Sequence, residues 1–327
     1  MNYDLNIVRD NDVPNLVNDF LNYLSTIKGK SKNTISGYKV DLIMFFRFLK
    51  LYKGLSSEKI EFEDIVISDI DASFIKAITL QDLYAFISFT KSYRNNGEYA
   101  RARKVATLKS FFKYLSGKAK IIIENPAIEL ESPKIKKRNP IYLTLDESKS
   151  LLNSVQGRNC ERNFCIITLF LNCGMRLSEL CGIRISSIKG DTLTVIGKGD
   201  KERTIYLNNS CLRAIKNYLI VRNEKSDKIL PINKDFLFLS EQGTPINKRQ
   251  VERIVKQNIQ KAGLDINKYT PHKLRHTAAT LMYKHGSVDI RSLQQILGHE
   301  NISTTQIYTH IDDERLREAV NSNPLNE

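Results

Sequence analysis

Apolar residues recur at three- and four-residue spacing along most of the chain, and that spacing predicts helices. Over 12–27, DVPNLVNDFLNYLSTI, one side collects Leu16, Val17, Phe20, Leu21 and Leu24. In the following KGKSKNTISGYKVDLIMFFRFLKLY, Asn33 or Thr34 caps a helix whose inward positions are Tyr38, Leu42, Phe45, Phe46 and Leu49. Residues 79–90 form a third helix behind Thr79, and residues 98–116 a fourth. The fourth carries a stripe of Ala102, Val105, Leu108, Phe112 and Leu115, with Arg101, Arg103, Lys104, Lys109 and Lys113 outside it. The stretch 50–78 lacks a clear period and reads as an extended loop or an irregular helical piece.

Pro126, Pro133 and Pro140 then punctuate the chain, with the basic run KIKKR between the last two. Breakers and charge at this density predict a linker over 121–140, between a helical domain at 1–120 and a second domain at 141–327. The second domain opens on a helix capped by Thr144, with Glu147 completing a capping box. RNFCIITLFLNCGM is apolar on all sides and predicts a buried helix; RLSELCGIRISSIKG continues the helical character. The period shortens to two in DTLTVIGKGDKERTIYLN, which predicts a β-hairpin turning at Gly197 to Asp200. Helical spacing returns at 209–223, 247–261, 271–285, 289–297, 301–311 and 313–320. The expected architecture is a two-domain, mostly α chain, its second domain mainly helical with a small sheet.

A length of 327 residues suits two domains, and 41% hydrophobic residues suffice for a core in each. The formal net charge of +14 is what composition adds to this picture. Such a surface draws a polyanion, and DNA, RNA and anionic membrane all qualify. No stretch approaches the ~20 apolar residues of a membrane span, and the acidic first residues hold no apolar run. Membrane therefore drops out as a partner and the expected location is the cytoplasm. Five cysteines, an odd number with no CxxC pair, fit reduced thiols rather than a disulfide framework or a structural zinc.

The candidate chemistry lies in the second half. Phosphoryl transfer needs a nucleophile, positive groups around the phosphate oxygens and a proton for the departing alkoxide. Arginine, lysine and histidine can supply these without metal or nucleotide. Arg176 follows the turn-like NCG; Lys198 sits in the hairpin turn GKGDK, with Lys201 close by. His272 and Arg275 share one face of a helix opened by Pro271, where free backbone N–H groups also favour an anion. His299 lies in LGH and Tyr308 in TTQIYTHI. Any of these alone reads as surface or packing. But the five histidines, His272, His276, His285, His299 and His310, all fall in the last third of the chain. A zinc site would explain that too, yet there is no HExxH and no cysteine in that third, so no metal and no other cofactor is expected.

Taken in order, GMRLSEL at 174–180, GKGDKERTI at 197–205, PHKLRHTAAT at 271–280 and LQQILGHENISTTQIYTHI at 293–311 resemble the tyrosine recombinases, the phage integrase family, and within it the compact Xer type. FLNYLSTIKGKSKNTISGYKVDLIMFFRFL resembles that family's DNA-clamping domain, of SAM-like fold, and NPAIELESPKIKKRNPIYLTLDE its linker, so the resemblance spans nearly the whole chain. Two departures stand out: 50–78 is long, and the serine-rich ISSIKG replaces an acidic residue usual after the first motif, although Glu179 is in place.

The resemblance implies a site-specific recombinase working through a 3′-phosphotyrosine intermediate and Holliday-junction strand exchange. It implies Tyr308 as nucleophile, Arg176 and Arg275 as phosphate clamps, Lys198 as general acid, His272 as proton acceptor or orienting group and His299 as hydrogen-bond donor. The positive surroundings are expected to ease deprotonation of Tyr308. Implied partners are a double-stranded recombination site, a homo- or hetero-tetramer of recombinase on two sites, and a DNA translocase or other accessory protein. Chromosome-dimer resolution and mobile-element integration or excision both fit. A type IB topoisomerase-like nicking enzyme and a non-catalytic DNA-binding regulator are the competing functions; the regulator leaves the ordered Arg, Lys, His and Tyr set unexplained.

Overall fold

The computed structural model describes residues 10–57, 59–135, 140–197, 201–224, 229–286 and 288–311. The chain divides into two compact units, Met1–Lys137 and Arg138–Glu327.

The first unit is helical. α1 (Asn15–Asn22) passes into a wider π-helical turn at Tyr23–Ile27, so the apolar side read over 12–27 holds with one change of pitch. α2 (Lys32–Tyr52) begins earlier than expected. Ser31, not Asn33 or Thr34, is its cap, and its hydroxyl accepts from the Thr34 amide at 3.3 Å. Phe62–Asp64 forms a 3-10 turn, followed by α3 (Ala72–Lys76). α4 (Leu80–Ser92) starts on a reciprocal cap between Thr79 and Asp82, and α5 (Glu98–Gly117) completes the unit. Apolar stripes on α1, α2, α4 and α5 meet in an aromatic core of Phe20, Phe45, Phe46, Phe86, Phe111 and Phe112, in which Phe45 and Phe86 cross edge-on at 5.1 Å.

The long segment at 50–78 is an irregular piece that feeds this core: Ile65, Ile67, Ile70, Ile75 and Ile78 are all buried. Ile122, Ala127 and Leu130, from the stretch read as linker, pack into the same core.

Lys104 departs from the expected surface stripe. It is buried, with Nζ 3.1 Å from Asp41 Oδ1. Asp41 also accepts from Arg103 Nη1 at 2.6 Å and Thr107 Oγ1 at 3.0 Å. A buried ammonium is tolerable only beside such a carboxylate, and the pair ties α2 to α5.

In the second unit Thr144 and Glu147 form the expected capping box ahead of α6 (Leu145–Asn153). α7 (Cys160–Cys173) is the central buried helix and contacts both α9 (Asn209–Asn223) and α11 (Pro271–His285). After α8 (Leu177–Cys181) the chain does not stay helical: Ile185–Ser187 is a 3-10 turn and Ile188–Lys189 is strand β1. β1 adds to the expected hairpin of β2 (Thr192–Ile196) and β3 (Glu202–Tyr206), giving an antiparallel sheet in the order β1-β2-β3. Leu193 faces Ile205, and Val195 faces Arg203. Leu193, Val195 and Ile205 point into the core, and Arg203 shares their face.

α10 (Lys248–Lys261) and α12 (Ile290–Leu297) finish the helical shell, followed by 3-10 turns at Ile302–Thr304 and Gln306–Ile311. The helix expected at 313–320 lies outside the described residues. No described helix is long and apolar enough to cross a membrane.

Candidate active site

The site forms where the end of α7 meets the end of α12. Gly174 closes α7 with φ +56°, and a Cβ there would come within 2.8 Å of Leu297. This close approach brings Arg176, two residues on, against the C-terminus of α12. Gly298 ends α12 in the left-handed region at φ +63°, where an added Cβ would lie 2.7 Å from Arg203 Cδ.

The last carbonyls of a helix lack intrahelical partners and carry the negative end of its dipole. Three successive carbonyls here are each taken by a different arginine. Arg203 Nη1 donates to Ile296 O at 2.5 Å, Arg275 Nη2 to Leu297 O at 2.7 Å and Arg176 Nη2 to Gly298 O at 2.5 Å. The three guanidiniums share one carboxylate, Glu179. It accepts from Arg203 and from both the backbone and the side chain of Arg176, and Arg275 Nη1 stands 4.0 Å away.

Burial alone would raise the Glu179 carboxyl, but the hydrogen bonds and charge of Arg203, then those of Arg176, outweigh it and hold the group at about 2. Three cations against one anion leave the cluster positive. Arg275 is pushed down to about 10, first by burial and then by the charge of Arg176. Its Nη1 is buried without a hydrogen-bond partner among the described residues. A buried donor left open among excess positive charge is suited to an anion.

A cleft of about 670 Å³ opens over this cluster, lined by Arg176, His272, Arg275, His299 and Thr304 among others. The structure thus brings together four of the residues singled out from sequence: Arg176, His272, Arg275 and His299. His299 Nδ1 pairs with Thr305 Oγ1 at 2.9 Å; burial, then the charges of Arg275 and Arg176, hold its imidazole at about 4. His272 is lowered too, by burial and then by Lys273 and Arg275. Both rings are therefore neutral near pH 7, each with one N–H to donate.

Lys198 lies outside the described residues. Gly197, just before it, is close to Arg176, and a Cβ on Gly197 would sit 3.7 Å from Arg176 Nη1. Lys201 lines an adjoining hollow and bonds Glu300 at 2.9 Å.

Tyr308 is placed differently from expectation. Its ring is buried at 1% exposure among Ala279, Leu293 and Leu297, and it lines neither the cleft nor the hollow. Its hydroxyl lies 2.7 Å from Nδ1 of His276, so the histidine that meets the phenol is His276 and not His272. Nor do the positive neighbours ease its ionisation here. Burial raises the phenol to about 12 and Arg275 only partly opposes that, because desolvating a phenolate costs more than one nearby charge returns.

His276 and Arg203 escaped the sequence reading. Arg203 carried a signal, as a charged residue in phase with the inward side of its strand. His276 had only its place beside Arg275. All five cysteines are free thiols, and among the described residues no three or more His, Cys, Asp or Glu side chains are grouped to hold a metal ion.

Comparison with known proteins gives a consistent set of matches. Residues 17–118 match the phage integrase N-terminal SAM-like domain and residues 142–315 the phage integrase family. Tyrosine recombinase XerC of Caldanaerobacter subterraneus subsp. tengcongensis is 56% identical over 314 residues, covering 96% of this chain and 88% of that protein. Tyrosine recombinase XerD of Halalkalibacterium halodurans is 31% identical over 311 residues, covering 94% and 96%. The fold is similar to that of XerH site-specific recombinase in its post-cleavage complex with palindromic difH substrate, with a TM-score of 0.68, 22% identity and coverage of 96% and 98%.

Proposed function

The chain belongs to the phage integrase family, and from that premise we propose how its own residues cut and rejoin DNA. It is a tyrosine-type site-specific DNA recombinase, and the step to be explained is transfer of one DNA strand to a protein oxygen and back. The observation that carries the assignment of residues is the arginine cluster at the C-terminal end of α12, with Nη1 of Arg275, which has no hydrogen-bond partner among the described residues, under a cleft lined by His272 and His299.

The scissile phosphate occupies this cleft. Arg176 and Arg275 bind its nonbridging oxygens, and His272 and His299 donate to the same oxygens as negative charge builds on them. Glu179 and Arg203 do not touch the DNA. They hold the clamping guanidiniums in register, so that little reorganisation is needed in the transition state. Tyr308 gives its proton to the free ring nitrogen of His272 and attacks phosphorus, forming a 3′-phosphotyrosine bond while the bond to the 5′-oxygen breaks. Lys198, which follows Gly197 in the sequence, gives that oxygen its proton. The phosphotyrosine keeps the phosphodiester energy, so the reverse attack by a 5′-hydroxyl of the other duplex rejoins the strand without ATP.

The partner is a duplex recombination site bound by both units, with the chain beyond Leu130 as the connection between them. Two protomers on each site and four in a synapse carry out the exchange through a Holliday junction. Of the two biological roles, chromosome-dimer resolution in the cytoplasm is favoured, since the relatives that match over nearly their whole length are named XerC and XerD. A DNA translocase or other accessory protein would then set when exchange completes.

The test is a nicked suicide duplex, which traps the covalent intermediate. Wild-type protein should form a 3′-linked adduct in EDTA, and peptide mapping should place it on Tyr308. Tyr308→Phe should bind DNA with unchanged affinity and form none. An adduct on the Phe variant, or its loss in EDTA with wild type, refutes the assignment.

A further inference from the structure

The reading of Tyr308 as nucleophile leaves its surroundings unexplained. The phenol lies in an apolar pocket beside the cleft rather than in it, and among the described residues its hydroxyl is hydrogen-bonded to His276 Nδ1 at 2.7 Å. Successive residues on a helix point about 100° apart. Arg275 therefore reaches the cleft while His276, next on α11, turns toward Tyr308. One helical turn back, His272 meets the His276 ring edge-on at 4.5 Å and itself lines the cleft, so its ring touches both. Burial, with the charges around it, holds His276 near 3, hence neutral. The phenol, which keeps its proton, is then the donor and Nδ1 the acceptor.

We infer that His276 is a positioning residue for the nucleophile: it holds the Tyr308 hydroxyl out of the phosphate cleft until a bound scissile phosphate competes for it. The inference rests on Tyr308 being the nucleophile. A buried hydroxyl that loses its acceptor is destabilised where it lies, because no water replaces the missing partner. Removing the imidazole nitrogen therefore shifts the resting population toward the released phenol, and premature cleavage at single sites follows.

His276→Phe keeps a ring and removes the acceptor; His276→Asn keeps a short acceptor. On a suicide duplex carrying one site, His276→Phe should form the Tyr308 adduct roughly five- to tenfold faster than wild type, the population change expected from losing one buried hydrogen bond. His276→Asn should return the rate close to wild type. General damage to the fold would slow both variants, so a folded His276→Phe protein that cleaves at the wild-type rate or more slowly overturns the inference.

Should that variant not fold, wild-type protein with 3-fluorotyrosine at position 308 supplies the measurement. Its 19F signal should show no H2O/D2O solvent shift without DNA and acquire one on a non-cleavable duplex. A solvent-exposed signal without DNA, or no change on adding the duplex, also overturns it. Tyr308→Phe separates the two readings: if it still forms adduct, the nucleophile is wrong, whereas a null Tyr308→Phe beside an unaffected His276→Phe removes only the latch.

Discussion

Arg203 grips Glu179 through both carboxylate oxygens, with Nη2 2.8 Å from Oε2 and Nε 3.2 Å from Oε1. The planar guanidinium matches a carboxylate in this way and still has Nη1 free to reach Ile296 O at 2.5 Å. One side chain on the sheet therefore locks the acidic hub of α8 to the end of α12. Arg176 and Arg275 are held against that same assembly, so the rigidity of the clamp is set by a pair that need not touch DNA.

Replacing Arg203 with Lys tests this. Lysine keeps the charge but lacks the planar fork that lets arginine span both Glu179 oxygens and Ile296 O at once. Single-turnover cleavage by Arg203→Lys should fall about 10- to 100-fold, in the range of lost second-layer contacts in other charged sites, while filter-binding affinity for the DNA site stays within about twofold. An equal fall in affinity and cleavage would instead put Arg203 in contact with DNA.

Acid should weaken the second unit in two stages. His276 and His299 are depressed to about 3 and about 4 from an ordinary 6.5, so the unfolded chain takes up these protons first, and stability falls as pH drops below 6.5. Glu179 is depressed to about 2 from 4.5; its contribution is complete above 4.5 and is lost as pH falls from there toward 2. Glu179→Gln should lower stability at pH 7 by about 3 kcal/mol, the scale of breaking a buried pair, and should flatten the lower stage alone. Urea midpoints of wild type and variant at pH 7, 5.5, 4 and 3 measure both. A lower stage unchanged in the variant would clear Glu179 of the effect.

The leaving oxygen needs a proton, and a 5′-bridging sulfur does not. Lys198→Ala should cleave ordinary DNA at least 100-fold more slowly, on the general acid scale, and recover most of that loss on the sulfur substrate. Lys201→Ala, which loses only the surface pair with Glu300, should show no substrate-dependent recovery. Recovery in Lys201→Ala instead would move the general acid to that residue.

In the first unit, Asp41→Ala leaves the buried Lys104 without its counter-charge. Such a break costs about 3–5 kcal/mol, so the thermal transition of residues 1–137 should fall by well over 10 °C. Asp41→Ala combined with Lys104→Met should recover much of that loss, since a neutral side chain of similar length carries no unpaired charge. No recovery in the double variant would mean that Asp41 acts mainly through Arg103 and Thr107, its other two partners.

What the sequence determined by itself was local. Thr79 and Thr144 could be read as caps because a cap and its partner lie three residues apart. The change of period from 3.6 to 2 marked β2 and β3 because facing is decided by neighbours on the same segment. His272 and Arg275 shared a helix face for the same reason, and the order of the four motifs named the family. Tertiary structure decided what depends on partners far along the chain. Lys104 looked like surface until Asp41, on another helix, made its burial tolerable. Arg203 acquired its role from Glu179 and Ile296, and Tyr308 met His276 rather than His272 because of how α11 is turned against the last 3-10 turn. Even the ionisation of Tyr308 reversed from expectation: charge can be counted in a sequence, but desolvation exists only after packing has excluded water, and around this phenol it is the larger effect.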